Sequence, residues 1–422
     1  MNFDRLWADY ARYLPAPNEN FVKFAEQSSS TALKSRLPTG VLARHLNFLK
    51  PSSPLFSWPD ILFTATFAVD KTADTIITRR DRQTSFVLGD SGGFSMISGA
   101  IKHSMASWRE ATLRWQERDC DVGIIVDVPT RAIEVPASGF KSFQQCLDQT
   151  IRNAEFAINA RSRSDLKLLA VYQGRTKAEA DRWADVMQRY QLQFEGMAIA
   201  GHTRLNIHEW VPRLIGMIER GTFETVRHIH FLGTAQPKFA VLATALQRAL
   251  RRHVRTDINV TFDSSTSFTF VQKYGQITTG LDAGSFRMTE HIMPSRPADF
   301  EPSAPFPYRG PLADRCRLGD FMPGTDPAKN PADSVGNNML SHHSVYAELS
   351  AILQANRLVD MAQAGKNSLV PHGIALAVDR IDRAFACDGK AVADLQGIFR
   401  KPENTMVAVS TDRADDFQPT GV

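Results

Sequence analysis

The chain has 422 residues, 43% hydrophobic and 22% charged, enough apolar material for one large core and an ordinary balance for a globular protein. No run approaches the roughly 20 apolar residues needed to cross a bilayer, and the first twenty residues carry charges where a secretion signal needs an apolar centre, so a cytoplasmic protein with no membrane partner is expected. Four scattered cysteines, Cys120, Cys146, Cys316 and Cys387, argue against a disulfide framework and a thiolate metal site, while a net charge of +4 permits a polyanionic partner without demanding one.

Residues 1–55 mix helical and irregular patterns and are expected to form an N-terminal cap. Over residues 56–300 one rhythm repeats: a short apolar run, a polar or glycine-bearing loop, then an amphipathic helical stretch. The runs fall at 61–69, 84–90, 121–127, 166–174, 196–201, 228–233 and 258–263. Near-continuous apolar runs of this length suit parallel strands covered on both faces. Helical patterns lie between them, for example at 107–118, 141–160 and 240–252. Residues 301–337, rich in Pro, Gly and Asp, are expected to form an irregular excursion. Helical periodicity returns at 340–363 and 373–386, so residues 338–402 are expected to complete a barrel with helices. Residues 403–422 form a polar tail.

Asp90, Asp127, Gln173, Gly201 and Asp263 each stand at or just past the C-terminal end of an apolar run. In a closed barrel those ends converge on one mouth; in an open doubly wound sheet they spread along an edge. Five candidates from five runs favour a (β/α)8 TIM barrel. Asp90 opens Asp90-Ser91-Gly92-Gly93-Phe94. There a carboxylate beside paired glycines either points into the mouth, where the backbone can approach a flat ligand, or caps the next helix.

The segment 90–94 resembles the DSGGFQ signature of the tRNA-guanine transglycosylases, and the resemblance continues in order through about residues 60–363. VGIIVDVP (122–129), VYQG (171–174), GMAIAG (196–201), FLGTAQP (231–237) and VTFD (260–263) are similar to that superfamily's strand ends. SHHSVYAELSAILQANRL (341–358) resembles its helix with a tandem His pair. The resemblance implies base exchange at C1′. Asp263 is then the nucleophile forming a covalent sugar ester, and Asp90 is the acid and base serving the departing and incoming purines. It implies a base pocket in which Asp127 accepts from guanine N1–H and the 2-amino group. Gln173 and the Gly201 N–H donate to O6, with Asp127 and Gln173 alternatively rim residues held by their neighbours; Ser91, Gly92 and Gly93 approach the base, and Phe94 either stacks on the purine or packs in the core.

The chain also departs from the tRNA enzymes. Around the tandem His it offers only Cys316, and Val359 stands where a zinc-ligating His is expected. No structural zinc and no cofactor are therefore anticipated, with His342 and His343 as helix-start or packing residues. Ser264-Ser265-Thr266-Ser267-Phe268 lacks the basic anticodon-reading segment. Asn206 replaces a glutamate that accommodates an aminomethyl group, and Ala200 replaces the first glycine of a pair. These losses point to the DNA-acting, DpdA-type relatives, which place a 7-deazaguanine such as preQ0 into DNA. The expected partners are thus DNA (alternatively tRNA), guanine and a 7-deazaguanine, with accessory DNA-modification proteins or a homodimer as further options. A zinc-less tRNA-guanine transglycosylase and a non-catalytic nucleic-acid-binding subunit are the alternative readings. Arg248, Arg251, Arg252 and Arg255 precede the Asp263 run, either as phosphate contacts or as a solvated helix face.

Overall fold

The computed structural model describes residues 1–7, 9–27, 36–97, 99, 101–294, 301–324, 332–366, 369–401 and 404. Eight parallel strands form one sheet: β1 (Arg12–Pro15), β2 (Asp60–Thr64), β3 (Phe86–Asp90), β4 (Val122–Ile124), β5 (Lys167–Tyr172), β6 (Gly196–Ile199), β7 (His228–Phe231) and β8 (Asn259–Ser264). Their order, β1-β8-β7-β6-β5-β4-β3-β2, brings first and second strands to the two ends of a nearly closed barrel. All ladders are parallel and in sequence, as right-handed β–α–β crossovers require.

The helices of nine or more residues are α1 (Met105–Asp119), α2 (Phe143–Ala160), α3 (Lys177–Gln191), α4 (Ile207–Glu219), α5 (Pro237–His253), α6 (Thr266–Tyr274), α7 (Ser334–Gln363), α8 (His372–Phe385) and α9 (Gly389–Phe399). Their starts are written locally. Ser104, Ser142 and Thr176 cap α1, α2 and α3 by accepting the N–H three residues on. Strands β6 and β7 are buried along their whole length, and β5 is buried after its exposed first residue, Lys167, which explains the apolar runs. No helix among the described residues is long and apolar enough to cross a membrane.

Two elements depart from the expected layout. The region expected only to cap the barrel contains β1, which pairs with β8 from Arg12↔Thr261 to Pro15↔Ser264. Four residues ending in proline carry too little periodicity to announce a strand. The seam between β1 and β2 is closed by side chains. Trp58 Nε1–H donates to the Tyr13 carbonyl at 2.9 Å, and Arg12 pairs with the buried Asp60 while lying 4.5 Å from the Trp58 ring centre.

The second departure is an antiparallel hairpin, β9 (Gln276–Asp282) and β10 (Arg287–Ile292), inside the segment expected to be barrel. Helix α7 packs on β9, α5 and α6. It is tied to the N-terminal region and α5 by Asp360, which accepts from Tyr10 Oη and Arg248 Nη1, each at 2.6 Å. In the 301–337 segment the described residues form short turns, an isolated bridge between Pro305 and Arg317, the helix Leu318–Phe321 and, from Ser334, the first turn of α7, so the helical part begins a few residues before the expected boundary at 338. The tail expected over 403–422 lies outside the described residues except for Asn404.

Candidate active site

Strand ends place the expected carboxylates together. Asp90 closes β3 and is half-buried; Asp263 lies near the end of β8 and is buried; Asp127 follows β4 and is buried. They are within electrostatic reach of one another, since the charge of Asp263 acts on Asp90 and that of Asp90 on Asp127.

Asp263 is held from behind by a chain of polar groups inside the barrel. His230 Nε2 lies 3.2 Å from Asp263 Oδ1, and the Gly233 N–H donates to the same oxygen at 2.8 Å. Thr261 Oγ1 stands 2.7 Å from His230 Nδ1 and 2.7 Å from His228 Nε2. A hydroxyl has one proton, so the tautomer in which His230 donates Nε2–H to Asp263 and accepts at Nδ1 sets one direction along the chain. His228 Nε2–H donates to Thr261, Thr261 O–H to His230 Nδ1, and His230 Nε2–H to Asp263. Burial keeps His228 neutral by lowering it to about 3. With Oδ1 doubly occupied, Oδ2 carries no hydrogen bond among the described residues. His228, Thr261 and His230 escaped the sequence reading because they sit within apolar runs. Alternation along β7 and β8 puts all three on the Asp263 face, which was the available signal.

Asp90 Oδ2 accepts the Gly92 N–H at 3.1 Å, and the Thr64 hydroxyl lies beside the carboxylate, level with it in the β2–β3 register. Burial pushes the Asp90 carboxyl above its ordinary 3.8, and the charge of Asp263 adds to that, against the pull of Gly92 and Thr64. Burial also raises Asp127, to about 7, with the charge of Asp90 next in the same direction. One barrel mouth therefore holds carboxyl groups whose protonated form burial favours, as a proton donor requires.

The glycines of the 90–94 segment have separate reasons. Gly92 has φ +69°, and a Cβ there would stand 2.5 Å from Thr66 Oγ1. At Gly93 a Cβ would meet Asp127 Oδ1 at 2.7 Å and the Asp127 carbonyl at 3.0 Å. This loop is thus packed directly on the Asp127 carboxylate. Ser91 lies deeper than expected of a pocket floor: it is fully buried and its carbonyl accepts from Trp108 Nε1 at 2.9 Å. The backbone of Phe94 lies in the short helix Gly93–Ile97, but its side chain lies outside the described residues.

Gln173 differs from its expected role. Its Nε2 donates to Asp127 Oδ2 at 2.8 Å and to the Val128 carbonyl at 3.0 Å, and its Oε1 accepts the Thr130 N–H at 2.9 Å. Both amide hydrogens are spent, so Gln173 orients Asp127 and has no donor left for a purine O6. Gly201, at φ +72°, packs on the backbone of Gly174, where a Cβ would come within 3.0 Å of the carbonyl oxygen.

The expected arginine contacts do not face this mouth. Helix α5 runs from the mouth to the far end of the barrel, where Arg251 donates to the Ile258 carbonyl and to Asn259, the first residue of β8. Arg248 pairs with Asp9 and Asp360, Arg252 with Asp382 and Arg255 with Asp257. A helix following a parallel strand must return antiparallel to it, so residues just before a strand lie opposite its C-terminal end. His342 and His343 sit in the third turn of α7, not at its start. His342 packs on Phe56 (4.6 Å between ring centres) and His343 on Phe306 (5.1 Å), and burial lowers them to about 3 and about 4. The described residues contain no group of three or more His, Cys, Asp or Glu arranged to hold a metal ion.

One acid went unnoticed in the sequence. Glu348 of α7 is buried and accepts from Tyr13 Oη of β1 and from Thr266 Oγ1 at 3.0 Å, joining α7 to β1 and to the start of α6, just after β8. Comparison with models of protein families finds no match for the chain, and comparison with curated proteins finds no significant relative.

Proposed function

We propose that the protein is a base-exchange transglycosylase that replaces a guanine of DNA by a 7-deazaguanine through a covalent sugar ester on Asp263. The observation carrying this reading is the meeting of Asp90, Asp127 and Asp263 at one barrel mouth, each on its own strand end, as the resemblance to guanine transglycosylases implies.

The chemistry follows from the environments. Asp263 Oδ2, the oxygen that carries no hydrogen bond among the described residues, attacks C1′; the C1′–N bond to guanine breaks and its electron pair leaves with the base. Asp90, whose carboxyl is raised, gives its proton to the departing purine. The incoming base returns a proton to Asp90 as its ring nitrogen attacks C1′, the ester bond breaks and Asp263 is restored. Two displacements leave the configuration retained. Asp127, oriented by Gln173, accepts from the N1–H and 2-amino donors common to guanine and its 7-deaza analogues. A target inside a stacked duplex is out of reach, so the nucleotide must be turned out of the helix. The preference for DNA rests on the absent anticodon-reading segment and on Asn206 in place of the glutamate.

Incubation with labelled guanine and either DNA or tRNA tests the reading: label is expected in DNA alone. Asp263→Ala is expected to abolish both exchange and denaturation-resistant attachment of the DNA to protein. Label solely in tRNA, or full exchange by that variant, overturns the proposal.

A further inference from the structure

Beside the mouth, the first turn of α5, the tip of the β9–β10 hairpin, the start of α8 and the end of α9 enclose a cavity of about 780 Å³. Lys238, Arg287, His372, Arg380 and Lys401 line it, against one acid, Asp394. Asp394 already accepts from Lys390 Nζ at 2.9 Å and Arg380 Nε at 3.3 Å. Two acids outside the lining offset part of this charge: Asp379 pairs with Arg380, and Asp282, opposite Arg287 on the hairpin, is acted on by the Arg287 charge. The lining groups therefore carry a positive surplus. Lys238 is only 8% exposed, and its ammonium is held below its ordinary pKa by burial first and by nearby Arg287 second. Two cations facing one space repel each other, and an anion placed between them reverses that sign.

Position matters as much as charge. The Thr234 N–H donates to the Asp263 carbonyl, and Lys238 follows four residues later, a reach of at most about 14 Å. The cavity thus opens on the same end of the barrel as the three carboxylates. A smaller cavity of about 280 Å³ lies over the connections that follow β5 and β6. That one is lined by Arg175, Lys177, His202 and Arg204, but Glu179 and Asp181 already pair with Arg175 and Lys177. The positive surplus is therefore greater in the larger cavity.

We propose that this larger cavity seats the phosphodiester backbone of the DNA strand whose guanine enters the mouth. The inference rests on the base-exchange reading and supplies the polyanion surface that the arginines at 248–255, on the opposite end, do not. Anisotropy of a fluorescein-labelled single-stranded DNA, titrated with the full chain over a salt series, tests it. The double variant Arg287→Glu, Lys401→Glu is expected to bind about tenfold or more weakly at low salt, with the log–log salt slope reduced by about two. The milder pair Arg287→Gln, Lys401→Gln is expected to fall between it and the native chain. Both positions are exposed, and a melting curve checks the fold. Arg252→Glu, at the far end, is expected to bind like the native protein. Unchanged affinity in both double variants, with the native chain still binding and exchanging bases, overturns the groove and leaves the exchange reading standing. A native chain that binds no DNA, or binds only an RNA of the same sequence, overturns the groove together with the choice of DNA.

Discussion

Asp127 is held by Gln173 on one oxygen and faced by Gly93 at the other, with Asp90 close enough to resist its ionisation. Its proton affinity is therefore a property of the mouth, and it sets a pH dependence with a definite sign. Guanine's two donors favour the ionised carboxylate, whereas Asp127 keeps its proton up to about 7. Below that pH, binding must expel the proton. Guanine affinity, measured by calorimetry, is expected to rise about tenfold per pH unit from about 5 to 7 and then level off. Asp127→Asn should bind weakly and without that slope; a slope that survives in the variant assigns it to another group. The same raised affinity costs stability as pH climbs from the unfolded value of 3.8 towards about 7, because the unfolded chain releases a proton that the folded chain retains.

At the scale of elements, the β3–α1 connection shows why two glycines follow Asp90. One turns the chain at positive φ against Thr66; the other leaves room for the carboxylate of the neighbouring strand end. Gly93→Ala would drive a methyl group to within 2.7 Å of Asp127 Oδ1, a contact that backbone on one side and Gln173 on the other give little room to relieve. We expect a loss of about 1–3 kcal/mol in urea unfolding and a larger loss of guanine affinity than of stability. Native-like base affinity in that variant would mean the loop and Asp127 move freely of one another. The paired-glycine signature was readable in the chain, but as an approach to a ligand; that its second member faces a protein carboxylate emerges only when β3 and β4 are side by side.

For the whole molecule, closure of the barrel depends on one of its short strands. The β1–β2 seam is joined by Trp58 and by the pair of Arg12 with buried Asp60, whose carboxyl is pushed up by burial and pulled down by Arg12. Asp60→Ala leaves Arg12 facing the seam with only the exposed Asp4 as partner. The cost is expected to be on the order of 2 kcal/mol, read as a lower urea midpoint. Because Leu14 is level with Asp263 across β1 and β8, exchange activity is expected to fall more steeply with temperature than in the native chain. An unchanged midpoint would show that the ladder to β8 alone holds β1 in place.

The sequence alone determined the repeating β–α architecture and the strand ends bearing Asp90, Asp127 and Asp263, because burial on both faces writes continuous apolar runs and a polar residue ending one stands out. It left β1 hidden, since four residues ending in proline have no period to detect. It also left open which end of the barrel the 248–255 arginines occupy and what the amide of Gln173 is bonded to. Those answers depend on contacts between strands far apart in the chain. The His228–Thr261–His230 chain behind Asp263 belongs to the same class: each residue looks like an interruption in its own strand, and only the β7–β8 register makes them neighbours.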